Sequence, residues 1–119
     1  MNEFNYKKLI VWQQSKELIK KIYSFTGLLP KEEQYNLIAH CRKTSLSVAS
    51  NVAEGAARTT DVDRKRFYVI ARASLMELDT QIEIASEIYE ITDYCDSEVN
   101  PLVLSIFRML SKMIRNLER

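Results

Sequence analysis

The chain has 119 residues, 46% of them hydrophobic and 28% charged, with a formal net charge of +1. That is the length of one domain, able to bury a core without staples. Two Gly, two Pro, two Cys and one His exclude most β-rich folds, glycine-rich phosphate loops, disulfide scaffolds and most zinc sites.

What remains is helical periodicity. The opening MNEFNYKKLIVWQQSK has only Leu9–Trp12 as an unbroken apolar run, too short for a signal-peptide core. No stretch approaches the ~20 residues of a membrane span. The expectation is a cytoplasmic protein with reduced thiols and no membrane contact.

The first predicted helix covers about 6–26. Trp12, Ser15, Ile19, Ile22 and Thr26 step by 3 and 4, with Leu18 and Phe25 beside them, which gathers one face. Gly27 is expected to close it in the left-handed conformation. Pro30 is expected to open the next helix.

The second covers about 31–57. Ile38, Cys41, Ser45, Val48, Val52 and Gly55 hold one stripe; Leu46, Ala49, Ala53 and Ala56 hold a second. Residues 44–53 carry no charge. A surface helix of a monomer shows a charged outer face, so this helix is expected to be covered by a sister molecule as well as by its own bundle.

The third covers about 60–94, along Phe67, Ala71, Ser74, Leu78, Gln81, Ala85, Ile88 and Thr92, flanked by Ile70, Leu75, Ile82 and Tyr89. Thr60 is the expected N-cap, with Asp63 at N3. The fourth covers about 98–118 along Val103, Ile106, Leu110, Met113 and Leu117, opening at Asn100–Pro101 or at Ser97. Links near 27–30, 56–60 and 95–98 are short, which makes sequential helices antiparallel. The predicted fold is all-α: one antiparallel up-down-up-down four-helix bundle over 1–119.

Charge is segregated. Residues 77–98 hold eight carboxylates and no basic group. Helix 3 thus ends with the wrong sign for its dipole. Arg108, Lys112 and Arg115 of helix 4 are expected to pair with Glu83, Asp79 and Glu77.

The segment LIAHCRKTSLSVASNVAEGAAR (residues 37–58) resembles the signature of bacterial proteins encoded in intervening sequences of 23S ribosomal RNA genes. It supplies Leu37, Arg42, Ser47, Val48, Asn51, Val52, Ala53, Glu54, Gly55 and Arg58. Trp12, Ser15, Leu18 and Tyr23 match the family's opening motif; Phe67, Ala71, Ser74, Glu77 and Leu78 match a third. Departures are His40 for Gln, Lys43 for Arg, Ala73 for Gly and Ala49 for Pro. The resemblance implies a homo-oligomeric ring of bundles, most often a pentamer. A related branch, the accessory protein of diversity-generating retroelements, joins a reverse transcriptase and nucleic acid.

Two candidate sites follow. Ser47, Asn51, Glu54 and Arg58 step by 4, 3 and 4 and make a polar stripe. It is read as a recognition surface or, structurally, as a hydrogen-bonded layer in which Asn51 and Glu54 tie helix 2 to Ser74 and Glu77 of helix 3 or to a neighbouring subunit, as an oligomer interface. Arg42, Lys43, Arg58, Arg64, Lys65, Arg66 and Arg72 make a basic set that is the candidate nucleic-acid contact. His40 and Cys41 are adjacent on a helix and diverge by about 100°, so they do not share a metal. No catalytic, cofactor or metal site and no small-molecule substrate is expected. Trp12, Tyr23, Tyr35 and Phe67 are expected as core or interface anchors. The leading reading is a non-enzymatic ring-like scaffold serving a ribonucleoprotein or reverse transcriptase. The alternative is a nucleic-acid-binding module using the basic set on helices 2 and 3.

Overall fold

A computed structural model of the chain describes residues 4–118; residues 1–3 and 119 of the predicted unit lie outside the described residues. Four long helices account for its 44 × 33 × 23 Å extents: α1 (Ile10–Thr26), α2 (Ala39–Ala57), α3 (Asp61–Ile88) and α4 (Asn100–Leu117). Each packs on its chain neighbours, and α4 closes the square against α1. This is the expected all-α antiparallel bundle. Among the described residues there is no strand, and no helix is long and apolar enough to cross a membrane.

The core is one cluster. Its largest wholly buried side chains include Leu18, Ile22 and Phe25 of α1, Val48 and Val52 of α2, Leu75, Leu78 and Ile82 of α3, and Ile106 and Leu110 of α4. Each such side chain contributes about 1.5–3 kcal/mol by leaving water. In α3 the buried line runs through Tyr68, Leu75 and Ile82, one position round from the predicted Phe67–Ser74–Gln81 line. In α1 it runs through Val11 and Leu18, not Trp12 and Ile19. The buried hydroxyls Ser15, Thr26, Ser45 and Ser86 donate to carbonyls of their own helix at 2.7–2.9 Å, which removes the cost of burying them.

The helix ends depart from the pattern expected of them. Gly27 has φ −65°, a right-handed value. The left-handed residue is Glu90, at φ 55°. It ends α3: the Ile91 amide donates to the Ser86 carbonyl at 2.9 Å, the six-to-one bond of a Schellman motif. Helix 3 therefore stops at Ile88, not near 94. A helical turn, Thr92–Tyr94, and a π-turn, Cys95–Val99, then lead into α4. The wide turn precedes Pro101, which has no amide to donate. The 31–57 helix likewise begins as a 3-10 turn, Lys31–Glu33, and a π-turn, Gln34–Ile38. At the N-terminus a 3-10 turn, Asn5–Lys8, is separated from α1 by extended Leu9. Thr60 caps α3 as expected, its Oγ1 accepting from the Asp63 amide at 3.2 Å.

Ending α3 early moves the hairpin centre and slides α4 along α3. Arg72 donates to Ser111 Oγ at 3.1 Å, and Lys65 pairs with Glu118 at 3.3 Å. In that register Arg108, Lys112 and Arg115 lie about two turns from their predicted partners Glu83, Asp79 and Glu77. Among the described residues none of those ion pairs forms. The carboxylate at the far end that does find a lysine is Glu98, 2.7 Å from Lys21 of α1. That bond raises the Lys21 pKa above its ordinary value, through the hydrogen bond first and the charge second.

Candidate functional site

The polar stripe lies in the outer groove between α2 and α3. Ser47 and Ser74 share a hydrogen bond of 3.0 Å across it. Asn51 Nδ2 donates to the Ser47 carbonyl at 2.8 Å and to Ser47 Oγ at 3.1 Å. Glu54 accepts from Arg58 at 2.7 Å. So the interhelical tie is Ser47–Ser74, while Asn51 and Glu54 bond within their own helical stretch. Glu77 bonds weakly to Gln81 at 3.4 Å. His40, Lys43, Ser47, Ser74, Glu77 and Gln81 are among the residues lining a shallow cleft of about 320 Å³ here.

Close approach of α2 and α3 depends on Gly55. A Cβ at that position would sit 2.6 Å from Tyr68 Cε1 and 3.2 Å from Phe67 Cβ. Tyr68 is buried, and burial pushes its hydroxyl pKa up. The glycine therefore has a packing cause rather than a conformational one.

The seven basic residues point in several directions. Arg42 Nε donates to Thr26 Oγ1 at 2.9 Å, and its guanidinium lies 4.4 Å from the Tyr23 ring centroid. It seals the C-terminal end of α1, where a cation suits the dipole. Arg72 turns to α4, over Phe107 and onto Ser111. Lys65 turns to Glu118. Lys43 is exposed beside the polar cleft. Arg58, Arg64 and Arg66 stay together at the α2–α3 corner, roughly 24 Å along α2 from Arg42 at 1.5 Å per residue. The expected patch is thus divided, because side-chain direction on a helix follows register and not nearness in sequence.

His40 is exposed and Cys41 buried, so they face apart. Burial raises the Cys41 pKa to about 11, with a contribution from Cys95, which keeps this thiol protonated and unreactive. No group of three or more His, Cys, Asp or Glu among the described residues could hold a metal ion. Tyr35 is 87% exposed, so within the chain it anchors nothing. Trp12 is half-buried against the core, and Phe67 lies under two guanidinium groups.

The model of the 23S rRNA-intervening sequence protein family matches residues 7–115. The chain belongs to that family. No curated protein matches it. The family match spans all four helices, so the signature residues of this intervening-sequence protein fall into place. Ser47 and Gly55 meet α3, at Ser74 and at Phe67 and Tyr68, Asn51 and Glu54 bond within their own stretch, and Arg58 is the C-cap of α2.

One feature of this family member was not legible in the periodicity. Phe4, Asn5 and Tyr6 reach the far end of α2 and, with Ala53, Glu54, Ala56, Ala57, Arg58, Thr59 and Arg64, line a cleft of about 650 Å³. Tyr6 meets Trp12 edge-on at 5.1 Å, and Phe4 stacks on Tyr6 at 6.2 Å. The only sequence signal was the aromatic spacing Phe4, Tyr6, Trp12, which a single helix over 6–26 would have spread apart.

Proposed function

We propose that the chain is a non-enzymatic scaffold that closes into a homo-oligomeric ring, pentameric as the family resemblance implies, and holds a ribonucleoprotein or reverse-transcriptase partner. The observation that carries this reading is the outer surface of α2 and α3. In one chain the chargeless stretch 44–53 presents Leu46, 46% exposed, and Ser50 to solvent. On α3, Val69, Ile70 and Met76 are 37–39% exposed and Ile84 49%. Val69, Ala73, Met76, Thr80 and Ile84 step by 4, 3, 4 and 4, so they form one stripe. Contiguous apolar surface of this kind marks an interface.

The two stripes lie on different helices and differ in shape. Unlike surfaces pair head to tail, and a head-to-tail contact that closes makes a ring. On α2 the exposed positions are Leu46 and the small Ser50, and on α3 they include the larger Met76 and Ile84.

Sedimentation or light scattering of the full chain tests this. Several chains per particle are expected; a 13.9 kDa particle at micromolar concentration overturns it. Leu46→Glu and Met76→Glu should each give monomers that melt normally, because both sites are exposed. Mixed, the two variants should form heterodimers, since each retains one intact stripe. Failure to pair would rule out the head-to-tail contact.

A further inference from the structure

We infer that the cleft between the N-terminal turn and the α2–α3 corner binds a nucleoside phosphate, with its base on Phe4 and its phosphate on Arg58 and Arg64. This goes beyond the ring proposal and does not depend on it, because neither Phe4 nor Arg64 lies on the proposed stripes.

Three observations converge. First, the cleft has the volume of a small-ligand site, which is ordinarily ~300–1,000 Å³. Its floor is open because Ala53 and Ala57 carry almost no side chain.

Second, the guanidinium groups at the cleft are only partly engaged among the described residues. Among the described residues Arg58 Nε, itself buried, has no hydrogen-bond partner, and Nη2 donates to Glu54 at 2.7 Å. Arg64 Nε donates to the Arg58 carbonyl at 2.8 Å, which fixes the side chain. Its Nη1 is 3.9 Å from Asp61, too long for a hydrogen bond. Arg66 adds charge: Arg58 and Arg66 each lie 4.6 Å from the Phe67 centroid. Carboxylates already offset part of that charge, Glu54 at 2.7 Å from Arg58 and Asp63 at 4.0 Å from Arg66, so a phosphate would add to these pairs. A phosphate, with several acceptor oxygens, suits forked donors.

Third, an aromatic face is presented beside them. Tyr6 is held by Trp12, and Phe4 stacks on Tyr6 at 18° between planes. Phe4 is nonetheless 71% exposed. A rigidly backed ring with an open face beside arginines is the arrangement that stacks a base while its backbone is held by cations. The ligand class is therefore a flat heterocycle carrying phosphate. Its source is either a nucleotide within a single strand or a free mononucleotide.

The test is fluorescence anisotropy of the full chain with labelled hexauridylate at rising KCl, with uridine monophosphate and inorganic phosphate as competitors. Binding is expected to weaken with salt by a log–log slope of ~0.7 per phosphate contacted. Arg64→Gln should make that slope shallower by one such step, and Arg64→Lys should keep most of it. Phe4→Ala should weaken binding by about 5- to 150-fold, the range for one stacked base. Circular dichroism melts establish that each variant is folded, and sedimentation that its assembly is unchanged. Competition by uridine monophosphate assigns a free nucleotide; its failure to compete assigns the strand; both uphold the cleft. Absence of binding at low salt, binding unmoved by Phe4→Ala and Arg64→Gln, or equal displacement by inorganic phosphate overturns the proposal.

Discussion

Gly55 and Tyr68 are packed so closely that no Cβ fits between them: it would lie 2.6 Å from Tyr68 Cε1. Helix propensity alone favours alanine over glycine by about 1 kcal/mol. Here the tyrosine ring is buried and cannot swing into solvent. Gly55→Ala should therefore force α2 and α3 apart and destabilise the fold by about 1–3 kcal/mol, the usual cost of overpacking. Urea denaturation measures it. A Gly55→Ala chain as stable as the parent would show that the contact relaxes freely.

Glu90 is the residue at which α3 turns off, in a conformation that costs a non-glycine residue roughly 1 kcal/mol or more. Glu90→Gly removes that cost while adding some unfolded-state entropy. The expected gain is about 0.5–1 kcal/mol, seen as a rise of a few degrees in melting temperature. A fall on this substitution would mean the glutamate side chain contributes something the geometry does not show.

The Tyr89 hydroxyl donates to the Glu33 carboxylate, joining the end of α3 to the turn before α2. The bond raises the Tyr89 pKa to about 12 and holds Glu33 below its ordinary 4.5. The raised tyrosine contributes stability that is complete below its ordinary pKa of 10.0 and is lost as pH climbs to about 12. The depressed carboxylate contributes above its ordinary 4.5, and that contribution is lost as pH falls through its folded value. Tyr89→Phe should flatten both limbs of the stability–pH profile. Denaturant melts at several pH values detect this, and unchanged limbs would show the bond to be energetically silent.

Arg42 separates the structural from the recognising arginines. It bonds Thr26 and covers Tyr23 at the end of α1. Arg42→Ala should cost about 1–2 kcal/mol, from a charged hydrogen bond and a cation–π contact. It should leave the affinity for hexauridylate unchanged, in contrast to Arg64→Gln. Loss of affinity at constant stability would return Arg42 to the nucleic-acid contact.

The helices were legible because burial has the period of the α-helix. Cys41 and Val48, or Leu78 and Ala85, lie seven apart and would face opposite sides of a strand, yet all are buried, as a helix requires. The exact line was less so. Where two adjacent apolar positions compete, as Phe67 and Tyr68 do, the period admits both, and packing against Gly55 chose Tyr68. The groove of Ser47, Asn51, Glu54 and Ser74 was visible as spacing, but which atoms bond across it was not.

The sequence by itself determined the class of fold, four amphipathic rods joined by short links, because apolar periodicity and scarce turn residues leave no other way to bury the core. Tertiary structure alone decided the register of α3 against α4. A left-handed glutamate, invisible to propensity, ended the rod early, and in the register that results Arg108, Lys112 and Arg115 of α4 lie about two turns from their expected partners on α3. It likewise decided which arginines are turned into the packing and which sit at the cleft beside an aromatic face, since a side chain's direction is known only once the helices have been set against one another.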